Sequence, residues 1–203
     1  SYMKVFVTGV GGQLGHDVMN ELHKRGYEGI GSDLAPDYSG IQDGTAAGTM
    51  PYMSLDITNV TAGRETILRL QPDAVIHCAA WTAVDKAEEM IDICRKVNKD
   101  GPANIAKVCE ELDIPMMYFS TDYVFNGLGE EPWMEYGERE PLNIYGQTKY
   151  EGELEVERLK KHFIIRISWV FGVNGHNFIK TMLRLGTERG EVSVVNDQIG
   201  SPT

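Results

Sequence analysis

The chain has 203 residues, 42% of them hydrophobic and 24% charged, with 30 Asp and Glu against 19 Lys and Arg for a formal net charge of -11. That is enough apolar material for one core, or one core with a small appendage, in a water-soluble globular protein. The acidic balance argues against nucleic acid as a partner, because affinity for a phosphate backbone comes from a concentrated basic face. No apolar run approaches the roughly 20 residues of a membrane-spanning helix, and no basic-then-apolar leader precedes Lys4-Val5-Phe6-Val7-Thr8, so neither membrane nor secretion is expected. Ser1-Tyr2 reads as an addition ahead of a natural start at Met3. Cys78, Cys94 and Cys109 lack Cys-x-x-Cys spacing and fall among apolar residues, which predicts buried free thiols, no metal site and a reducing cytoplasm.

In chain order, short β-branched or aromatic runs alternate with stretches of helical period, the pattern of βα units building a parallel sheet. A strand is expected over 4–8, followed by Thr8-Gly9-Val10-Gly11-Gly12-Gln13-Leu14-Gly15 at the start of a helix over 13–25. Glycines let the backbone turn tightly and approach a pyrophosphate, and the helix start supplies free N–H groups and a positive dipole end. The spacing Gly9-x-x-Gly12-x-x-Gly15 is the short-chain dehydrogenase form of a dinucleotide fingerprint, with a purely structural glycine-rich turn as the other reading. A strand over 28–33 ends in Asp33, 18 residues beyond Gly15 and near the distance at which an acidic residue accepts from the adenosine ribose. Its charge would repel a 2′-phosphate, which favours NADH over NADPH without excluding dual use; a turn-initiating Asp is the alternative.

Residues 36–50, rich in Gly and small polar side chains, read as a mobile surface loop without chemistry. A strand over 52–55 leads into Asp56-Ile57, placed to meet the adenine, although Asp56 could equally cap the helix expected over 60–70. The strands over 73–78 and 163–168 are near-continuous apolar runs, as when helices cover both faces, so the fold class is a doubly wound α/β sheet. His77, inside the first of these, reads as a satisfied core histidine. One long helix is expected over 86–112, then a strand over 115–120 ending at Ser120-Thr121, then a long acidic loop over 126–142.

Asn143 is placed to cap a helix over 144–161, which puts Tyr145 and Lys149 at i and i+4 on one face. An ammonium beside a phenol favours the phenolate and draws the Tyr pKa down from its usual value of about 10 toward a range useful for proton transfer. The same Lys could hold the nicotinamide ribose; an ordinary surface pair is the alternative. Thr121, 24 residues before Tyr145, could hydrogen-bond a substrate carbonyl that Tyr145 protonates, or it could cap the strand-to-loop turn. A helix over 176–188 and a strand over 191–195 close the pattern.

Several blocks carry a more specific likeness: Thr-Gly-Val-Gly-Gly-Gln-Leu-Gly at 8–15, His-Cys-Ala-Ala-Trp-Thr-Ala-Val-Asp-Lys-Ala-Glu at 77–88, Phe-Ser-Thr-Asp-Tyr-Val-Phe-Asn-Gly at 119–127, Pro-Leu-Asn-Ile-Tyr-Gly-Gln-Thr-Lys at 141–149, Arg-Ile-Ser-Trp-Val-Phe-Gly at 166–172, and Val-Asn-Asp-Gln-Ile-Gly-Ser-Pro-Thr at 195–203. In these blocks and their order the chain resembles the dTDP-4-dehydrorhamnose reductases of the extended short-chain dehydrogenase/reductase superfamily. The resemblance implies a Rossmann-like NAD(P)-binding domain over 3–170 and, over 171–203, the opening part of a substrate-binding lobe that the chain end leaves incomplete. It implies NAD(P)H-dependent reduction of dTDP-4-dehydro-β-L-rhamnose at C4, with Gly9, Gly12, Gln13, Leu14 and Gly15 holding the pyrophosphate, Asp33 the ribose, and Asp56 and Ile57 the adenine. Ala79, Ala80 and Thr82 would line the nicotinamide side, Thr121, Asp122 and Trp169 would meet the sugar, Tyr145 would donate the proton, and Lys149 would position the ribose and tune Tyr145. Asn98 matches the Asn that organises a proton-relay water in the wider superfamily.

Two features depart from that pattern. Position 77 is His where many relatives carry Asn, and Glu130, Glu131, Glu135, Glu138 and Glu140 read as a solvated acidic loop rather than the glutamate metal link described for some dimeric members. A homodimer stays open. The rivals are a non-catalytic dinucleotide-binding regulatory subunit, like that of methionine adenosyltransferase, and an NDP-sugar epimerase or dehydratase of the same superfamily.

Overall fold

The computed structural model describes residues 3–81, 83–121 and 143–167, with Thr121 and Ile167 described by their backbone alone. Six strands, β1 (Lys4–Thr8), β2 (Glu28–Asp33), β3 (Tyr52–Ser54), β4 (Ala74–His77), β5 (Met116–Thr121) and β6 (His162–Ile167), form one sheet in the order β3-β2-β1-β4-β5-β6. Every pairing is parallel, with Phe6 opposite both Ile30 and Val75, and Tyr118 opposite Ile164. The order reverses between β1 and β4, and in an open α/β sheet the crevice above such a reversal is where ligands bind.

The strands sort their side chains to two faces by their period of two. Val5 and Val7 pack on one face with Val18, Met19 and Leu22 of α1 (Gln13–Lys24), whereas Phe6 and Val75 pack on the other with Ile67 of α2 (Val60–Leu70) and Ile105 of α5 (Gly101–Leu112). Helix α6 (Ile144–Glu157) joins the second face through Val156. Both faces of β1 are thus closed to water, which is why its central residues Val5, Phe6 and Val7 are all apolar and fully buried.

The helix expected over 86–112 is interrupted. The segment forms α3 (Val84–Ala87), breaks at Met90, resumes as α4 (Ile91–Arg95), passes through a π-turn (Lys96–Asp100) and continues as α5. Pro102 supplies the physical reason for the wide turn: it has no N–H to offer the Asn98 carbonyl four residues back, and its ring crowds that carbonyl. The loop over 36–50 makes side-chain contacts with α1. Its 3-10 turn (Ala46–Thr49) is tied to α1, where the Asn20 side chain accepts from Ala47 N at 2.8 Å and the buried His16 lies 2.9 Å from Asp43 Oδ2. The helix over 176–188, the strand over 191–195 and the domain boundary after 170 lie outside the described residues.

Candidate functional site

The carboxyl ends of β1, β2, β3 and β4 open into a cleft lined by Gly9, Asp33, Asp56, Ile57, Ala79 and Ala80. The glycine-rich turn that forms its floor is held by three separate contacts. Gly9 takes φ +74, a conformation natural only to glycine, and a Cβ there would come within 2.5 Å of Ala79 N. A Cβ at Gly15 would collide with the Gly9 carbonyl oxygen, so that glycine lets α1 start hard against the turn. Gly11 N donates to Asp33 Oδ2 at 2.8 Å, which ties the turn to the end of β2.

Gly12 is different. It is exposed, stands at the N-cap of α1 without a side-chain cap, and a Cβ there would meet nothing closer than the Gly9 oxygen at 3.8 Å. The protein's own packing does not need glycine at this position, so the space belongs to whatever approaches the helix start. Gln13 is exposed beside it, its amide donating to Asp17 Oδ1 at 2.9 Å, while Leu14 packs inward on the α1 face of the core.

Asp33 is half-buried at the tip of β2 and receives two backbone N–H groups, Gly11 on Oδ2 and Leu34 on Oδ1, each at 2.8 Å. A carboxylate offers about four lone-pair sites, so two stay available to hydroxyl donors in the cleft. The exposed Asp56 does not cap α2; Asn59 does, accepting from Ala62 N at 3.0 Å. Asp56 instead accepts from the Thr58 N–H and hydroxyl, bonds that lower its pKa. Thr8 and Ser32 also line the cleft, and sequence reasoning did not assign them a place there. Of the three thiols, Cys94 and Cys109 are buried as expected, but Cys78, at the end of β4, is only half-buried.

Helix α6 packs against β5, α4 and the π-turn, and none of its residues is among those that line this cleft in the described part of the chain. Asn143 caps the helix, its side chain accepting from Gly146 N at 2.6 Å, and Tyr145, Thr148, Lys149, Gly152, Glu153 and Val156 all point inward. Tyr145 packs in a small cluster with Ala87 and Cys94, flanked by Trp81. Lys149 Nζ donates to the Phe119 carbonyl at 2.8 Å and sits 4.4 Å from the centre of the Tyr118 ring. Burial draws its pKa down to about 8 against the opposing pull of Glu153.

Asn98, in the π-turn, joins this helix to the loop after β4. Its side chain accepts from Trp81 N at 2.9 Å and donates to Thr148 Oγ1 at 3.1 Å, while its carbonyl faces Gly152, where any Cβ would collide with it. Gly152 went unnoticed in the sequence because nothing local signals it; Pro102, which shapes the π-turn, was the available clue. Thr82, Asp122 and Trp169 lie outside the described residues, and Thr121 is placed only by its backbone, at the end of β5.

Comparison with known proteins gives this arrangement a lineage. The family model described as RmlD substrate binding domain matches residues 3–203. The chain belongs to the RmlD substrate-binding-domain family. A dTDP-4-dehydrorhamnose reductase of Shigella flexneri is 39% identical over 203 residues, covering 99% of this chain and 62% of that protein. A crystal structure of dTDP-4-dehydrorhamnose reductase from Bacillus anthracis, in complex with NADP, superposes with a TM-score of 0.71 at 40% identity over 100% of this chain and 66% of that one. The ortholog from Clostridium acetobutylicum gives 0.70 at 40% identity, covering 90% of this chain and 59% of its own. This RmlD-family chain therefore spans a little under two thirds of the length of the relatives it matches.

Proposed function

We propose that this chain carries the nicotinamide-dinucleotide site and the proton-donating residues of a reductase that converts the C4 keto group of dTDP-4-dehydro-β-L-rhamnose to the alcohol of dTDP-L-rhamnose. The observation that carries this reading is the cleft at the sheet reversal, lined by Gly9 and an Asp33 carboxylate that accepts from Gly11 N, with the exposed Gly12 next in the chain at the start of α1. The names of the Shigella flexneri and Bacillus anthracis relatives support the sugar substrate, and the NADP in the latter supports a nicotinamide dinucleotide.

The donor set fits such a cofactor. Gly9, Gly12, Gln13, Leu14 and Gly15 hold the pyrophosphate, Asp33 accepts from the adenosine ribose, Asp56 and Ile57 flank the adenine, and Ala79, Ala80 and Thr82 wall the nicotinamide end. Asp33 favours NADH, since a 2′-phosphate would meet a carboxylate that two backbone N–H groups already hold in place. When bound, the reduced dinucleotide supplies a hydride to the sugar C4.

Tyr145 then delivers the proton that the developing alkoxide needs, and the Thr121 hydroxyl donates a hydrogen bond to the same oxygen. Lys149, with three N–H donors of which the Phe119 carbonyl takes one, retains capacity for a ribose hydroxyl, and its charge favours the Tyr145 phenolate. Asp122 and Trp169 contact the sugar. The Rossmann-like domain covers 3–170, and 171–203 begins the substrate lobe. No helix among the described residues is long and apolar enough to cross a membrane, which is compatible with a cytoplasmic enzyme meeting a water-soluble nucleotide sugar.

The test is to mix the protein with NADH and dTDP-4-dehydrorhamnose and follow loss of the nicotinamide absorbance. Turnover in the wild type that falls by two orders of magnitude or more in Tyr145→Phe supports the reading. A folded wild type that binds no NADH, or full turnover in Tyr145→Phe, overturns it.

A further inference from the structure

Three buried charges lie on or against the inward face of α6, and the reaction just described uses only one of them. Lys149 is 3% exposed, Glu153 0% and Arg166 5%. Arg166, on β6, grips Glu153 with two parallel bonds, Nε to Oε2 at 2.9 Å and Nη2 to Oε1 at 2.6 Å. Glu153 stands one helical turn beyond Lys149 on the same face of α6. Taking such a pair out of water costs about as much as the attraction returns, so its presence is poor evidence of a gain in stability.

The surroundings of Lys149 show what the pair can do. Its titratable neighbours are Tyr118 from β5, His77 from β4 with Cys78 just after it, Cys94 from α4, and, one turn to either side on its own helix, Tyr145 and Glu153. Burial keeps four of these neutral near pH 7: it pushes the Tyr118 phenol and the Cys78 and Cys94 thiols up and draws His77 down to about 3. Glu153 is the one carboxylate of the set, and the bidentate guanidinium of Arg166 fixes both of its oxygens in place.

We propose that Glu153 is a positioning residue for Lys149, the countercharge that keeps its buried ammonium protonated at the active face, and that Arg166 clamps Glu153 in that role. The catalytic value of this arrangement rests on the reductase reading given above; the charge coupling itself does not.

Lysine side-chain NMR tests the coupling without substrate or cofactor. The protein labelled at lysine Cε and Nζ is titrated, with the Lys149 resonance identified by its loss in Lys149→Met. The wild-type midpoint is expected near 8. In Glu153→Gln it should move to lower pH by roughly one unit or more, and Glu153→Asp, which keeps the charge, should recover most of the shift. Because a lone Arg166 could unfold the single variant, Glu153→Gln with Arg166→Met removes both charges, and its midpoint should also lie below that of the wild type. A Lys149 midpoint unchanged in both the single and the double variant overturns the proposal, whatever the reductase assay shows.

Discussion

Thr8 Oγ1 lies 2.9 Å from His77 Nδ1, joining the ends of β1 and β4 where the sheet order reverses. The same oxygen accepts from Cys78 N at 3.0 Å and Ala79 N at 3.2 Å, so its own proton goes to His77, which is therefore the neutral Nε2–H tautomer. The expectation of a satisfied core histidine is met at Nδ1 only, since Nε2 has no hydrogen-bond partner among the described residues.

This relationship has a pH consequence. Burial, and then the nearby Lys149, depress the His77 pKa to about 3, below the 6.5 of an unfolded chain. A histidine whose folded pKa is depressed contributes stability that is fully present above the unfolded value and is lost as pH falls toward the folded one. Thermal denaturation between pH 7 and pH 3.5 should therefore show a steeper loss of stability in wild type than in His77→Asn. Parallel curves would mean that His77 is not held neutral.

The glycines of the turn should separate under mutation. Gly15→Ala places a Cβ against the Gly9 carbonyl and should lower the melting temperature by several degrees, about 1–3 kcal/mol of overpacking, together with dinucleotide binding. Gly12→Ala meets nothing closer than 3.8 Å and should lower the melting temperature less than Gly15→Ala does, only by the loss of a preferred N-cap residue, while weakening dinucleotide binding by tenfold or more.

Asp33→Asn keeps the size of the side chain but replaces one acceptor oxygen by an NH2 group, where Gly11 N and Leu34 N each now find an oxygen at 2.8 Å. Binding of NADH should weaken by about tenfold, with NADPH affected less, so that the preference narrows or reverses. Titrating both nucleotides by fluorescence reads the ratio directly, and an unchanged ratio would remove Asp33 from the ribose site.

Gly152→Ala forces a methyl group into the Asn98 carbonyl and within 2.6 Å of the Tyr118 hydroxyl, separating α6 from the π-turn. A loss of roughly 1–3 kcal/mol in denaturant unfolding is expected. A variant as stable as wild type would show that the two elements do not need this approach.

The elements legible in the sequence are those whose signal is local. The apolar run Val5, Phe6 and Val7, the glycine spacing from Gly9 to Gly15 and the Asp33 that ends β2 each carry their meaning within a few residues, and the structure brings Gly9 and Asp33 to one cleft. What stayed hidden depends on partners distant in the chain. Nothing near His16 announces Asp43, nothing near Glu153 announces Arg166, and nothing near Asn98 announces its bonds to Trp81 and Thr148. The contacts of loop 36–50 with α1 are of the same kind, since its polar composition does not name Asn20 or His16 as partners.

The most direct test of the account is binding of NADH to this chain, followed by the change in nicotinamide fluorescence, for wild type, Gly12→Ala and Asp33→Asn. Saturable binding by the wild type that both substitutions weaken is the predicted result. A wild-type chain that is folded and binds no dinucleotide, or that binds it equally well in both variants, would contradict the assignment of the cleft.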